Sequence, residues 1–204
     1  MKFDHLFWTY RRFKKSCWLE DEIDGFKDEP FLSIGRSFKD NYPDDVSIAM
    51  DADFPKDTVV LDHLRNDLQI CSGGLTDFLK SKEIDNVEYL PIWLINHKGR
   101  KVKPCFNILN PVTPIDCLDL AACNVRYFDE EEGVIDTVEK FVIDETKCQD
   151  FPALMRIEGI RGKVLIHREL AMAIDAEGFT GCGWLELADM VGKDLFYSLP
   201  IVKK

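Results

Sequence analysis

Two residue types suited to nucleophilic or metal chemistry recur in this chain, as four histidines and seven cysteines. His5, His63, His97 and His167 stand far apart, with no HExxH or HxH spacing to set two imidazoles on one metal. Cys17, Cys71, Cys105, Cys117, Cys123, Cys148 and Cys182 are odd in number and widely spaced, and they form no CxxC. That pattern argues against a zinc site or a disulfide framework and for reduced thiols. Cys71 is the most suggestive nucleophile. It precedes Ser72-Gly73-Gly74, and a small-residue turn entering a helix N-terminus can lower a thiol pKa. A histidine brought near by folding would complete a Cys–His pair. The same residues equally describe a strand-end cysteine before an ordinary helix start.

Other candidates point away from catalysis. Gly73-Gly74 lacks both the GxGxxG spacing and the Lys-Ser/Thr of a phosphate loop. The glycines of Gly178-Phe179-Thr180-Gly181-Cys182-Gly183 follow a predicted helix, which is the wrong side for cradling phosphate and the right one for a tight helix-to-strand connection. Asp116 and Asp119 would share a helix face if their segment were helical, but no substrate cue accompanies them. No catalytic, cofactor-binding or metal-binding residue is therefore assigned, and no cofactor is expected. The densest like-charge run is Asp129, Glu130, Glu131 and Glu132. It reads as a solvated hairpin tip or as a recognition element for a basic surface, where complementary charge speeds and orients docking.

The elements that would position these residues can be read from periodicity. The first 56 residues are rich in aromatics and charge, with turn signals at Asp24-Gly25 and Tyr42-Pro43-Asp44-Asp45, and predict a strand or two among irregular segments. Val60, Leu61, Leu64 and Leu68 fit one face of a short helix that leaves His63 on its polar side. Leu68 to Cys71 reads as a brief strand. Ser72 is a plausible N-cap for a helix burying Leu75, Phe78 and Leu79. Val87 to Ile95 is a β-rich run whose Pro91 calls for an edge position or a bulge, with Cys105 to Leu109 as its hairpin partner.

Asn124 to Phe128 and Val134 to Ile143 predict two strands joined by the acidic run and the turn residue Gly133. Leu154 to Glu158 and Lys163 to His167 form a further hairpin candidate. A helix with Leu170, Ala173 and Ile174 on one face ends near Gly178, and Cys182 to Leu187 reads as a last core strand. At an offset of 95 residues, Ile70, Leu75, Leu79, Ile84, Tyr89, Leu90 and Ile92 align with Leu165, Leu170, Ile174, Phe179, Trp184, Leu185 and Leu187. Many hairpins beside few short helices predict an α+β fold with a mixed or mainly antiparallel sheet and a candidate repeated β-α-β unit. The expected organisation is an aromatic-rich N-terminal segment, 1–56, packed on a main domain, 57–204.

The 204 residues suffice for a packed core without metal or disulfide. Lys plus Arg number 26 against 37 Asp plus Glu, a formal charge of −11. That balance opposes nonspecific nucleic-acid binding and favours a basic partner. No apolar run approaches the length of a membrane span, and the N-terminus lacks a secretory h-region, so no membrane association and a cytoplasmic location are expected.

The ordered series of motifs resembles immunity family eleven of the bacterial polymorphic-toxin immunity proteins, formerly a domain of unknown function. The resemblance covers residues 31 to 188. It runs through Phe31 to Gly35, Pro43-Asp44, Lys56 to Leu64, Ile70-Cys71-Ser72, Val87-Glu88-Tyr89-Leu90-Pro91 and Asn107-Ile108-Leu109-Asn110. It continues with Ile115-Asp116-Cys117-Leu118-Asp119, Val164 to Leu170 and Phe179-Thr180-Gly181-Cys182-Gly183-Trp184. Cys123 and His167-Arg168 depart from it, each where a serine is expected. The resemblance implies a non-enzymatic cytoplasmic protein that binds a cognate protein toxin, expected to be basic, and neutralises it by occlusion. Two rival classes follow from the residues alone: a cytosolic enzyme with a cysteine nucleophile, and an interaction protein with no toxin partner.

Overall fold

The computed structural model describes residues 3–28, 32–65, 67–131, 133–148 and 150–190. Phe31, Glu132 and the stretch beyond Met190 lie outside the described residues. In chain order the strands are β1 (His5–Tyr10), β2 (Ser47–Ala49), β3 (His63–Leu64), β4 (Gln69–Cys71), β5 (Val87–Ile95), β6 (Phe106–Pro111), β7 (Val125–Asp129), β8 (Val134–Val138), β9 (Leu154–Met155), β10 (Leu165–His167) and β11 (Cys182–Leu185). Three short α-helices are described whole: α1 (Gly73–Lys80), α2 (Leu120–Cys123) and α3 (Arg168–Ala176). The fold is α+β, with mixed and antiparallel sheets.

The strands form a five-stranded sheet in the order β2-β5-β6-β4-β3, a four-stranded sheet in the order β11-β1-β10-β9, and the β7-β8 ribbon. Side chains alternate faces along a strand, and that alternation sorts the apolar residues into three clusters. Ile70, Leu90, Ile92 and Ile108 face a first cluster completed by Phe26, Leu32, Phe38, Val46 and Ile48 of the N-terminal region. From the opposite face Cys71 and Leu109 enter a middle cluster, which receives Leu6, Trp8 and Ile166 of the four-stranded sheet and Leu75, Leu79, Leu170 and Ile174 of α1 and α3. Phe7 and Leu165 point the other way, into a third cluster with Ile135 and Val138 under β8. β1 thus threads the N-terminal segment between β10 and β11, buried on both faces.

The 95-residue offset has a structural counterpart. β4, α1 and β5 start at residues 69, 73 and 87, and β10, α3 and β11 at 165, 168 and 182. In each set the two strands flank a third that is antiparallel to both, β6 in one sheet and β1 in the other. Each set is a split β-α-β unit, and both helices turn their apolar faces to the middle cluster.

Local chemistry explains the helix ends. The Ser72 hydroxyl accepts from the Leu75 N–H at 3.3 Å and donates to the Asp62 carboxylate at 2.8 Å, satisfying a donor that the first turn of α1 leaves open. Glu169 sits in the first turn of α3, where a carboxylate complements the helix dipole.

Two expectations are corrected. The segment around Leu61 and Leu64 is not a helix but runs into β3, which pairs antiparallel with β4. Arg65 adopts φ +64 at the turn and its guanidinium grips Asp67. A left-handed residue ends helical continuity, and Leu61, Leu64 and Leu68 reach the first cluster along an extended path instead. The strand predicted over Cys182 to Leu187 ends at Leu185 and lies at the sheet edge, with Cys182 buried in the middle cluster and Gly183 to Leu185 only partly buried. Trp184 is half-buried there, its indole N–H donating to Asp175 at 2.9 Å.

Candidate functional site

Asp129, Glu130 and Glu131 of the acidic run fold into the tip of the β7-β8 hairpin, as the composition predicts. Asp129 ends β7, and Glu130 and Glu131 are exposed in the turn. Gly133 closes that turn at φ +67, its N–H donating to the Glu130 carbonyl at 3.3 Å. The hairpin base is firmly held. Val134, Ile135 and Val138 are buried, and the Ile135 N–H donates to the Gly159 carbonyl at 2.9 Å. Glu132 lies outside the described residues.

Beside the carboxylates stands a residue that sequence reasoning missed. Phe128 is 74% exposed, although it lies in a strand whose neighbour Tyr127 packs on the third cluster. Alternation explains this: Arg126 and Phe128 share the outer face of β7, Val125 and Tyr127 the inner one. Tyr127 faces Ile135 and Asp129 faces Val134, so Phe128 is an extra residue on β7. The bulge interrupts the ladder there and leaves the ring on that outer face. On β8 the extra residue is Asp136, which takes an ion pair from Arg126. The available signal was an aromatic abutting the charge run, one residue out of phase with Val125 and Tyr127.

The other candidates are placed in structural roles. Cys71 and His63 face each other across β3 and β4, so folding does juxtapose a cysteine and a histidine. Both are fully buried. Burial lowers the His63 imidazole to about 4, against a weaker opposing effect of its bond to Gly181. Burial likewise raises the Cys71 thiol well above its ordinary value. The imidazole Nδ1 bonds the Gly181 carbonyl at 3.1 Å and the thiol lies 3.8 Å from the Gln69 carbonyl. A nucleophilic thiolate needs the opposite conditions: exposure and a lowered pKa.

His5 is buried beside His167, ring centroids 5.3 Å apart, and its Nε2 bonds the Pro152 carbonyl at 2.8 Å. His97 lies half-buried, 3.4 Å from the Asp57 carbonyl. Asp119 caps α2, accepting from the Ala122 N–H at 2.9 Å, while Asp116 pairs with Lys147 at 2.9 Å. The two carboxylates therefore do not work on one helix face. Gly178 to Gly183 connects α3 to β11, as expected. At Gly181, φ is +86 and a Cβ would run into the His63 carbonyl oxygen. Asp62 locks this connection to α1 by accepting from the Thr180 N–H and hydroxyl as well as from Ser72.

All seven cysteines are free thiols. Among the described residues no helix is long and apolar enough to cross a membrane. Compared with known proteins, the chain matches no family model and no curated protein.

Proposed function

We propose that this protein is an immunity protein of the cytoplasm that binds a basic cognate toxin and neutralises it by occlusion, without catalysis of its own. The observation that carries this reading is the exposed Phe128 set among Asp129, Glu130 and Glu131 on an anchored hairpin. Binding hot spots are typically aromatic anchors ringed by contacts that contribute little energy themselves but exclude water. The carboxylates that follow the ring in the chain match a basic surface, and the net charge of −11 draws such a partner from a distance. An interface of about 1,200–2,000 Å² centred on the tip would bind stably. The burial of Cys71 weighs against the thiol-enzyme alternative.

The test is co-expression with the product of the adjacent gene, followed by affinity capture and a growth assay. Immunity requires that the pair copurify and that this protein restore growth to cells making the neighbouring protein. Growth arrest that persists despite a stable complex would point to a toxin-independent interaction protein. Failure of both capture and rescue would overturn the reading.

A further inference from the structure

A second surface, away from the hairpin tip, carries an inference that does not depend on the immunity reading. A groove of about 650 Å³ runs between the segment 37–44 and the first half of β5. Five consecutive residues of β5, Val87 to Pro91, line it. Side chains alternate faces, so consecutive residues share a groove only along the strand's edge.

The hydrogen-bond phase of that edge is fixed from both sides. The Val112 N–H donates to the Asn86 carbonyl at 2.9 Å, and Asn86 precedes β5 in the same register. In antiparallel pairing the bonding residues alternate, so Glu88, Leu90 and Ile92 bond β6. Val87, Tyr89 and Pro91 direct their backbone groups to the opposite edge. At the same edge the Trp93 N–H donates to the Val46 carbonyl at 2.9 Å, where β2 joins in parallel. β2 pairs only with Trp93 to Ile95. Below that point the edge is open. Among the described residues, the N–H and C=O groups of Val87 and Tyr89 and the C=O of Pro91 have no protein partner.

The far wall is fixed in place. The Glu88 carboxylate accepts from the Ser37 hydroxyl, the Phe38 N–H at 3.0 Å, the Lys39 N–H at 3.3 Å and the Asn110 amide at 3.1 Å. Asp44 and Asp85 stand exposed on the lining, and with Glu88 they outnumber the one cation, Lys39. An open strand edge is a template for another strand, and the carboxylates select its charge.

We propose that this groove takes an extended basic segment of another protein, which adds to the five-stranded sheet beside β5 in line with β2. Backbone groups of the guest pair with Val87 and Tyr89, and its Lys or Arg side chains meet Asp44 and Asp85. Pro91, which has no N–H to offer, marks the end of the paired stretch.

The experiment uses the full chain and an acetylated, amidated peptide of alternating Lys and Val, with amide hydrogen exchange as the readout. The peptide should slow exchange at Val87 and Tyr89 by about tenfold or more, leaving Glu88 and Leu90 unchanged because β6 already holds them. The same peptide N-methylated at alternate residues should lose the effect, as should the Asp44→Lys/Asp85→Lys double variant, whose changes are on the surface. No slowing at Val87 and Tyr89 would overturn the proposal. So would equal slowing by an alternating Glu and Val peptide. Protection that rises with protein concentration without peptide would assign the edge to a second copy of this chain and overturn the basic guest.

Discussion

His5 and His63 make the folded state sensitive to acid. Burial lowers both imidazoles to about 4, with the His5 value also reduced by His167 nearby. A group whose pKa falls on folding contributes stability that is complete above its unfolded value, about 6.5, and is lost as pH drops toward the folded value. Each histidine should therefore withdraw about 3 kcal/mol between pH 6.5 and pH 4. Urea unfolding across this range checks the sign, and His63→Gln should remove about half of the slope. An unchanged slope would mean that His63 titrates normally in the fold. Gly181 offers a separate test. Alanine there meets the His63 carbonyl at a left-handed φ, and stability should fall by at least about 2 kcal/mol on denaturant titration. The buried thiols of Cys71 and Cys182, both raised by burial, should resist alkylation until the chain unfolds. Rapid labelling of native Cys71 at neutral pH would reopen the nucleophile reading.

On the proposed reading, the β7-β8 hairpin separates binding from stability at the level of an element. Its strands are anchored by Ile135 and Val138, while Phe128, Glu130 and Glu131 are exposed. Phe128→Ala should leave stability within about 0.5 kcal/mol and weaken binding of the proposed toxin partner by about 2 kcal/mol, mainly through faster dissociation. Reversing Glu130 and Glu131 to Lys should instead slow association and flatten its salt dependence, because rim charges act over a screening length of about 8 Å at physiological ionic strength. Stopped-flow association at low and high salt distinguishes the two. Equal effects of both variants on dissociation would contradict the division into anchor and rim. α1 shows the reverse case. Ser72 caps the helix and is itself held by Asp62. Ser72→Ala should cost about 1 kcal/mol or more in thermal or urea unfolding.

Across the whole molecule, the middle cluster joins the two sheets. Trp8 and Trp184 report on the four-stranded sheet and Trp93 on the five-stranded one, and Leu75 and Ile174 reach the same core from α1 and α3. Unfolding should be one cooperative transition, with tryptophan fluorescence and far-ultraviolet circular dichroism coinciding in urea. Separate midpoints would mean that the sheets unfold independently. Leu75→Ala should lower the common midpoint, at a cost of about 2–5 kcal/mol.

Much of this architecture was legible in the sequence because it rests on local rules. Val87 to Ile95 is a β-rich apolar run followed by a turn, so it forms β5 with the predicted bounds. Pro91 called for an edge position or a bulge, and half of β5 has an open edge. Gly133 and the carboxylates marked the hairpin tip, Ser72 the start of α1, and the 95-residue spacing the two split units. What sequence left open depends on contacts between distant segments. The helical spacing of Leu61, Leu64 and Leu68 was equally satisfied by a strand once β4 and a left-handed Arg65 were available to pair and turn it. The exposure of Phe128 follows the alternation of β7, whereas its place as the extra residue of a bulge was decided by the register of β7 against β8. Cys71 is buried because both sheets and two helices close over it, and the open edge of β5 exists because β2 stops pairing at Trp93. Periodicity within a segment fixes which face is apolar; only packing decides which edges stay open and which polar groups are sealed from water.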